Sequence, residues 1–386
     1  MRFSIQITLI LLLIITVGCT NKPSATTPVL VLDRNEVVQR ADQYLTQKPI
    51  TIAAFVAERS AGGLHDYYSE GSYWWENPED PEGPYIRRDG HRNPNNFRSH
   101  KTALRDFALQ VTTLTAAYQI TSDEKYAYHA IKHLNAWFSN ADTRMNPSLL
   151  YAQAIKGINT GRGIGIIDTL RLIDVALSVE ALAKAGLLKN VDLAGTKKWF
   201  NDYAEWLTTH PYGDDEKKNN NNHSTWWGAQ VAAYAQVAER ADLLQIAQQQ
   251  FKDQLEIQLA ADGSFPDELG RTKPWHYMEY NLRGWTTFAL LASTPTKNLW
   301  QYESKNGTLK KAIEFATPFI SQPEKWTYLS VLEPKIHPER NDYLVFAYYG
   351  LNDNKYLELW QALDQNTDDN SEKDANLVLW RDRMNG

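Results

Sequence analysis

Apolar residues recur at steps of three and four along much of the chain, and this spacing constrains the fold more than any other feature. Leu104, Phe107, Val111, Leu114 and Tyr118 form one series, and Leu170, Ile173, Leu177 and Ala181 a second. Trp199, Tyr203 and Trp206, then Trp227, Val231, Tyr234 and Ala238, continue the pattern. At 3.6 residues per turn these positions share one face, so each segment is expected to be an amphipathic helix on a common core. Residues 33–47 read as a further helix. Turn signals separate the segments at Asn146-Pro147, 161–165, 211–213 and Asp262-Gly263. No alternation of strand and helix patterns occurs, so a parallel sheet is not expected. Successive helices joined by long loops fit an all-α architecture, an (α/α) barrel or toroid. No exact repeat is present, so closure of the ring does not follow from the spacing. The polar run 366–374 is expected to be a solvated loop before a short final helix.

The stretch 61–98 breaks this rhythm. Prolines at 78, 81, 84 and 94 exclude a continuous helix or a central strand. Loops this long are usually functional, and the density of aromatic residues argues against disorder. Trp74 and Trp75 offer flat apolar faces that can stack on a sugar ring. The region is also basic: positions 85–101 hold Arg87, Arg88, Arg92, Arg98 and Lys101 against one acid, Asp89. Arg87 and Arg88 are therefore expected to attract a polyanion. The net charge of −6 argues against general nucleic-acid binding, but not against an acidic ligand in a locally basic cleft.

The N-terminus reads as an export signal. After Met1-Arg2 comes an apolar run over 5–17, too short to span a bilayer comfortably as a permanent helix. It ends at Gly18-Cys19, and Cys19 is the only cysteine. This junction resembles the lipobox of bacterial lipoproteins, with Thr16 where Leu is usual. The resemblance implies cleavage before Cys19, acylation of that residue, and an exported protein held at a periplasmic or outer-membrane surface by its lipid alone. Residues 1–18 are then a signal peptide, 19–30 a lipid-anchored polar tether, and 31–386 a single folded domain. A lone cysteine permits no internal disulfide and no Cys-ligated metal site. The sequence calls for no cofactor, no metal and no protein partner.

Two short constellations carry the chemistry. The first runs from Asn219 through Asn222 to His223, Ser224, Thr225, Trp226 and Trp227. Four consecutive Asn interrupt a helix, and Ser224 or Thr225 is expected to cap one that begins near Trp226. Asn222 and His223 then sit at its positive end, where unpaired backbone N–H groups favour a carboxylate. A capped polar linker fits the same residues. The second is Pro266-Asp267-Glu268-Leu269-Gly270-Arg271, with Trp275, His276 and Tyr277 beyond it. Arg271 is expected to draw the Tyr277 phenol below its ordinary pKa of about 10 and make it an accessible base. An ion pair between Glu268 and Arg271, with Tyr277 as a helix-face aromatic, fits equally.

Four blocks, in this order, resemble the alginate-lyase-type polysaccharide lyases across most of residues 60–350. They are DYYSEGSYWWENPEDPEGPYIRRDGHRNPNNF from Asp66, LLYAQAIKGINTGRGIGIIDTL, NNH, and ELGR followed by HY. The resemblance implies an (α/α) barrel whose cleft holds an acidic, uronate-containing glycan. It implies that Asn222 and His223 neutralise the substrate carboxylate and that Arg271 and Tyr277 are the catalytic pair. Tyr151, Gln153 and Arg162 become subsite candidates, with Trp227 and His276 as further candidate substrate contacts.

Lyase chemistry needs these residue types. The C5 proton of a uronate is weakly acidic until amide, imidazole and guanidinium donors stabilise the enolate-like intermediate. A base then takes H5 while an acid protonates O4. In β-mannuronate and β-glucuronate both lie on one face, so a single Tyr can serve; in guluronate they lie on opposite faces and a second group such as His223 must act. The expected substrate is a 1,4-linked polyuronate, foremost poly-β-D-mannuronate, with glucuronan as the alternative, and the product carries a 4,5-unsaturated end.

Other patterns point elsewhere. Gly161-Arg162-Gly163-Ile164-Gly165 has the wrong spacing for a dinucleotide loop and follows no strand pattern. His129 and His133 share a helix face, but Ala130 stands where a zincin carries Glu. A helical-barrel glycoside hydrolase would need two carboxylates, for which Asp89, Asp267 and Glu268 are candidates. A non-catalytic glycan-binding lipoprotein would need the aromatic loop but not Tyr277 beside Arg271.

Overall fold

The computed structural model describes residues 30–363 and 371–384; the leader, Cys19 and nearly all of the tether lie outside the described residues. The periodic segments form helices, arranged in two shells. The inner shell consists of α2 (Ser99–Thr121), α4 (Leu172–Lys184), α7 (Asn222–Val237), α10 (Pro274–Ala292), α12 (Asp342–Leu351) and α14 (Ser371–Met384). Each packs on the next, and α14 packs back on α2, so the ring closes. The outer shell holds α1 (Arg34–Tyr44), α3 (Glu124–Phe138), α5 (Asn190–Thr209), α8 (Ala241–Gln258), α11 (Leu309–Ser321) and α13 (Asn354–Ala362), each against an inner helix. The result is an all-α toroid. Burial follows the shells: α7 is covered on nearly every side, while α3 hides one face. One continuous apolar cluster links Ala41 to Met384.

Local chemistry sets the helix ends. Asp33, Asp123, Asn221, Asn341 and Asp353 each accept a hydrogen bond from an N–H in the first turn of the helix they precede. Three expectations shift here. The cap of α7 is Asn221, whose side chain accepts the His223 N–H, so the helix begins at Asn222 and buries Ser224 and Thr225 within it. The expected turn at 211–213 instead opens the short helix α6 (Pro211–Lys217), because proline at the first helical position gives up an N–H that has no partner there anyway. The final helix starts inside the expected polar loop. Asp374 is buried and its Oδ2 accepts the Asp33 N–H at 2.7 Å; residues 366–370 lie outside the described residues.

The stretch 61–98 is irregular apart from three short strands. β1 (Tyr68–Glu70) pairs in parallel with β4 (Tyr151–Ala154), and β2 (Trp74–Trp75) pairs antiparallel with β3 (Ile86–Arg87). The parallel pair departs from the expectation of none. Strands this short leave no periodic trace in sequence, and they pin the loop beside the ring rather than forming a framework. Among the described residues no helix is long and apolar enough to cross a membrane.

Candidate active site

A cleft of about 530 Å³ opens where the N-terminal ends of α2, α7 and α10 meet the 61–98 loop and β4. Arg87, Arg92, Arg98, Lys101, Arg162 and Arg271 line it, and Glu70 is the one acid they face among the described residues. Glu70 is itself held by Arg59, the Tyr68 hydroxyl and the Phe97 N–H. Helix N-termini add partial positive charge, so the cleft is suited to an anion.

Tyr277 lies in the first turn of α10, 7% exposed. Its hydroxyl shares a 2.9 Å hydrogen bond with the Tyr73 hydroxyl. The Arg271 guanidinium carbon sits 3.8 Å from the Tyr277 ring centroid. Burial, and next the bond to Tyr73, push the phenol well above its ordinary pKa, and Arg271 only partly offsets them. The expected net depression is therefore reversed. A guanidinium stacked on the ring face does not hydrogen-bond the phenolate oxygen, so it loses to desolvation.

Arg271 pairs with Asp89 rather than Glu268. Its Nη2 donates to Asp89 Oδ1 at 3.1 Å, and Thr272 Oγ1 donates to Oδ2 at 3.1 Å. Burial raises the Asp89 pKa, but hydrogen bonds and charge from Arg271, with help from Arg87 and Thr272, outweigh it and hold the carboxyl below its usual range. Gly90, at φ +77°, lets this loop lie on Thr272, since a Cβ there would meet Thr272 Oγ1 and Leu332 at 2.6 Å.

Two buried carboxylates stand behind the Asn-His pair. Glu268 is fully buried in the short helix α9 (Pro266–Leu269); it accepts the Asn222 N–H at 2.6 Å and Asn222 Nδ2 at 2.9 and 3.0 Å. Glu216, fully buried in α6, lies 2.7 Å from His223 Nδ1 and accepts Asn219 Nδ2 at 2.9 Å. A carboxylate can only accept, so Nδ1 carries the proton and Nε2 is left for the cleft that His223 lines. Burial raises both carboxyl pKa values, and the donors pull them back only in part.

Gln153 and Arg162 form a third unit. Gln153 has φ 50°, an uncommon conformation for a residue with a side chain. Its carbonyl accepts Arg162 Nε at 3.0 Å and its Oε1 accepts Nη2 at 3.1 Å. Arg162 lies over Trp74, 5.7 Å from the ring centroid. Burial, with Arg87 adding to it, lowers the Arg162 pKa to about 10, which leaves it cationic at neutral pH. Beside it the buried Asp168 accepts Lys101 Nζ at 2.6 Å and Ser69 Oγ at 2.6 Å.

The ring thus brings Asn222, His223, Arg271, Tyr277, His276, Trp74, Arg87, Gln153 and Arg162 to one cleft. Other candidates lie elsewhere. Trp227 is 1% exposed in the core, with its Nε1 donating to the Leu207 carbonyl, because α7 turns that face outward against α5. Arg88 stacks on Trp75 at 5.2 Å, and neither they nor Tyr151 line the cleft. Sequence reasoning missed Tyr73, Glu216 and the role of Glu268. Tyr73 stood beside the tryptophans in plain view, but nothing in the run Asp214-Asp215-Glu216 marks which acid turns inward. The hydrolase candidates form no pair across the cleft: Asp89 is ion-paired, Glu268 is sealed behind Asn222, and Asp267 is exposed. The glycines at 161–165 serve packing, since a Cβ on Gly165 would meet Ala152. His133 is buried and held neutral, its pKa pushed down to about 4 by burial and next by His129.

Comparison with known proteins places the fold. No curated protein sequence matches the chain. A crystal structure of an alginate lyase from Bacteroides ovatus is 29% identical with a TM-score of 0.77, covering 90% of this chain and 92% of that one. Alginate lyase A1-III from Sphingomonas species A1 is 20% identical with a TM-score of 0.53, covering 86% and 92%. A tetrasaccharide complex of a variant of A1-III is 18% identical with a TM-score of 0.57, covering 90% and 94%, and these two share the fold. The model of the alginate lyase family matches residues 51–326, and with this match over most of the chain, the protein belongs to the alginate lyase family of polysaccharide lyases.

Proposed function

We propose that this enzyme cleaves a 1,4-linked polyuronate of the alginate type, foremost poly-β-D-mannuronate, by β-elimination. The observation that carries the reading is Tyr277 set against Arg271, Asn222 and His223 in one basic cleft. The substrate carboxylate docks on the Arg271 guanidinium, beside Asn222 and His223, and Arg271 stabilises the enolate-like charge that develops at C5 and C6. The Tyr277 phenolate takes H5, the C4=C5 double bond forms as C4–O4 breaks, and the phenol returns its proton to O4. Trp74, Arg87 and Arg162 hold neighbouring sugars through stacking and charge. Glucuronan presents the same syn geometry and is the alternative substrate. Polyguluronate requires a base on the opposite face, a role favoured for His223 by its Nε2 being left toward the cleft.

The test follows the ultraviolet absorbance of 4,5-unsaturated ends on polymannuronate, polyguluronate and glucuronan. Tyr277→Phe keeps the ring and its packing but removes the titrating oxygen, and it is expected to lower turnover of polymannuronate by roughly 10²–10⁴-fold while oligosaccharide binding persists. Because the Tyr277 pKa is raised, its phenolate is scarce at neutral pH, and kcat/KM of the wild-type enzyme is expected to climb as pH rises above 7. A Tyr277→Phe enzyme with near-normal turnover would transfer the base role to His223, and saturated products would replace elimination by hydrolysis.

A further inference from the structure

Beside the cleft lies a larger cavity of about 940 Å³, framed by the N-terminal ends of α4, α10, α12 and α14 and by the segment 332–342. That segment, α12 and α14 all lie beyond the residues that match the family, 51–326. His276 lines both spaces, exposed between them, with its ring nearly parallel to Tyr280 at 14°. We propose that this second cavity binds additional uronate units of the same substrate chain, extending the cleft past His276 and giving the enzyme a preference for long polymers. The inference rests on the polyuronate reading above.

Size and charge argue for it together. The volume sits at the upper end of the roughly 300–1,000 Å³ found for pockets that enclose small ligands, room that a single cleft-bound sugar does not use. Arg171, Lys273, Arg283, Lys335, Arg340 and Lys373 line the cavity, facing Glu279, Glu333, Glu339 and Asp342. Two of the acids are already engaged. Asp342 pairs with Arg283 at 3.2 Å, and Glu333 accepts the Trp275 and His276 N–H groups at 2.6 and 3.1 Å. Glu279 lines the cavity half-buried, where burial and then Glu339 and Glu333 push its pKa up to about 8. At neutral pH it is mainly a neutral acid that can donate to a sugar oxygen and does not repel a carboxylate. Six cations against four acids leave the lining positive overall, and the inner-helix N-termini around the cavity add to it. A polyuronate carries one carboxylate per sugar, so a chain leaving the cleft at His276 meets cations able to pair with it.

The test uses Lys335→Ala with His337→Ala, both exposed on the far rim and away from the proposed catalytic groups. Turnover is compared on a mannuronate trimer and on the polymer at low salt. The expected result is a loss of about five-fold in kcat/KM for the polymer, the size of one partly screened ion pair, with kcat at saturation and the trimer rate within two-fold of wild type. Equal loss on both substrates, or loss on neither, overturns the second cavity as a substrate site while leaving the lyase reading intact. A wild-type enzyme inert on every polyuronate overturns both.

Discussion

His223 and Asn222 are adjacent in the chain, yet each is governed by a different buried carboxylate, and this division sets their chemistry. Glu216 fixes the His223 tautomer through Nδ1, whereas Glu268 grips both the backbone N–H and the amide of Asn222. We predict that Glu216→Gln keeps the shape but frees the ring: the Gln amide can donate to Nδ1, which would turn the imidazole proton toward the cleft as a different tautomer. The expected outcome is a fall in kcat of tenfold or more with KM changed little, together with an altered pH profile of kcat. An unchanged profile would reduce Glu216 to a packing residue.

At the scale of elements, the Asn run is held by α8 from behind. Gln250, Gln254 and Gln258 stand one turn apart on one face of α8 and are buried. Gln250 and Gln254 donate to the Lys217 carbonyl at 2.8 and 3.3 Å, and Gln258 donates to the Asn221 carbonyl at 3.1 Å. Gln258 also accepts Asn281 Nδ2 of α10 at 2.9 Å. This polar seam ties α7, α8 and α10 together beneath the cleft and satisfies carbonyls that the interrupted helix leaves open. Replacing Gln258 with Leu strands the Asn281 amide in a dry interior and takes one donor from the Asn221 carbonyl, which keeps the Ser224 N–H. We predict a loss of about 2–4 kcal/mol in unfolding free energy, read from urea denaturation, with activity falling as the Asn222 turn loosens. A variant as stable as wild type would show that water replaces the missing amide.

For the whole molecule, the inner helices set their N-terminal ends at one mouth, where the two cavities adjoin. The arrangement concentrates positive charge in a protein whose net charge is −6. It also leaves acids under strain of burial, Glu279 foremost. Its folded pKa of about 8 exceeds that of a free carboxyl, so the folded state keeps a proton that the unfolded chain has lost. Stability linked to this group therefore falls as pH rises from about 4.3 toward 8 and levels off above, with a slope of at most about 1.4 kcal/mol per pH unit. Glu279→Gln, which cannot ionise, is expected to flatten that part of the stability curve in denaturant titrations across pH 5 to 9. An undiminished slope would assign the effect to other acids.

The helices and their residue types were written in local sequence. Series such as Leu104 to Tyr118 need only i, i+3 and i, i+4 neighbours to declare a buried face, and prolines at 78, 81, 84 and 94 declare a loop by the same local logic. Family resemblance carried the closed ring and the set Asn222, His223, Arg271 and Tyr277, which periodicity alone does not contain. Tertiary structure decided how those groups behave. Tyr277 meets Tyr73 from 204 residues away, Arg271 meets Asp89 across 182, and Asn222 meets Glu268 across 46. Such partners depend on where the ring closes and on which side of a helix each residue falls. Trp74 and Trp227 are alike in sequence, yet one lines the cleft and the other fills the core. The upward shift of Tyr277 has the same origin: proximity to an arginine is legible in a sequence, whereas desolvation is a property of everything packed around the phenol.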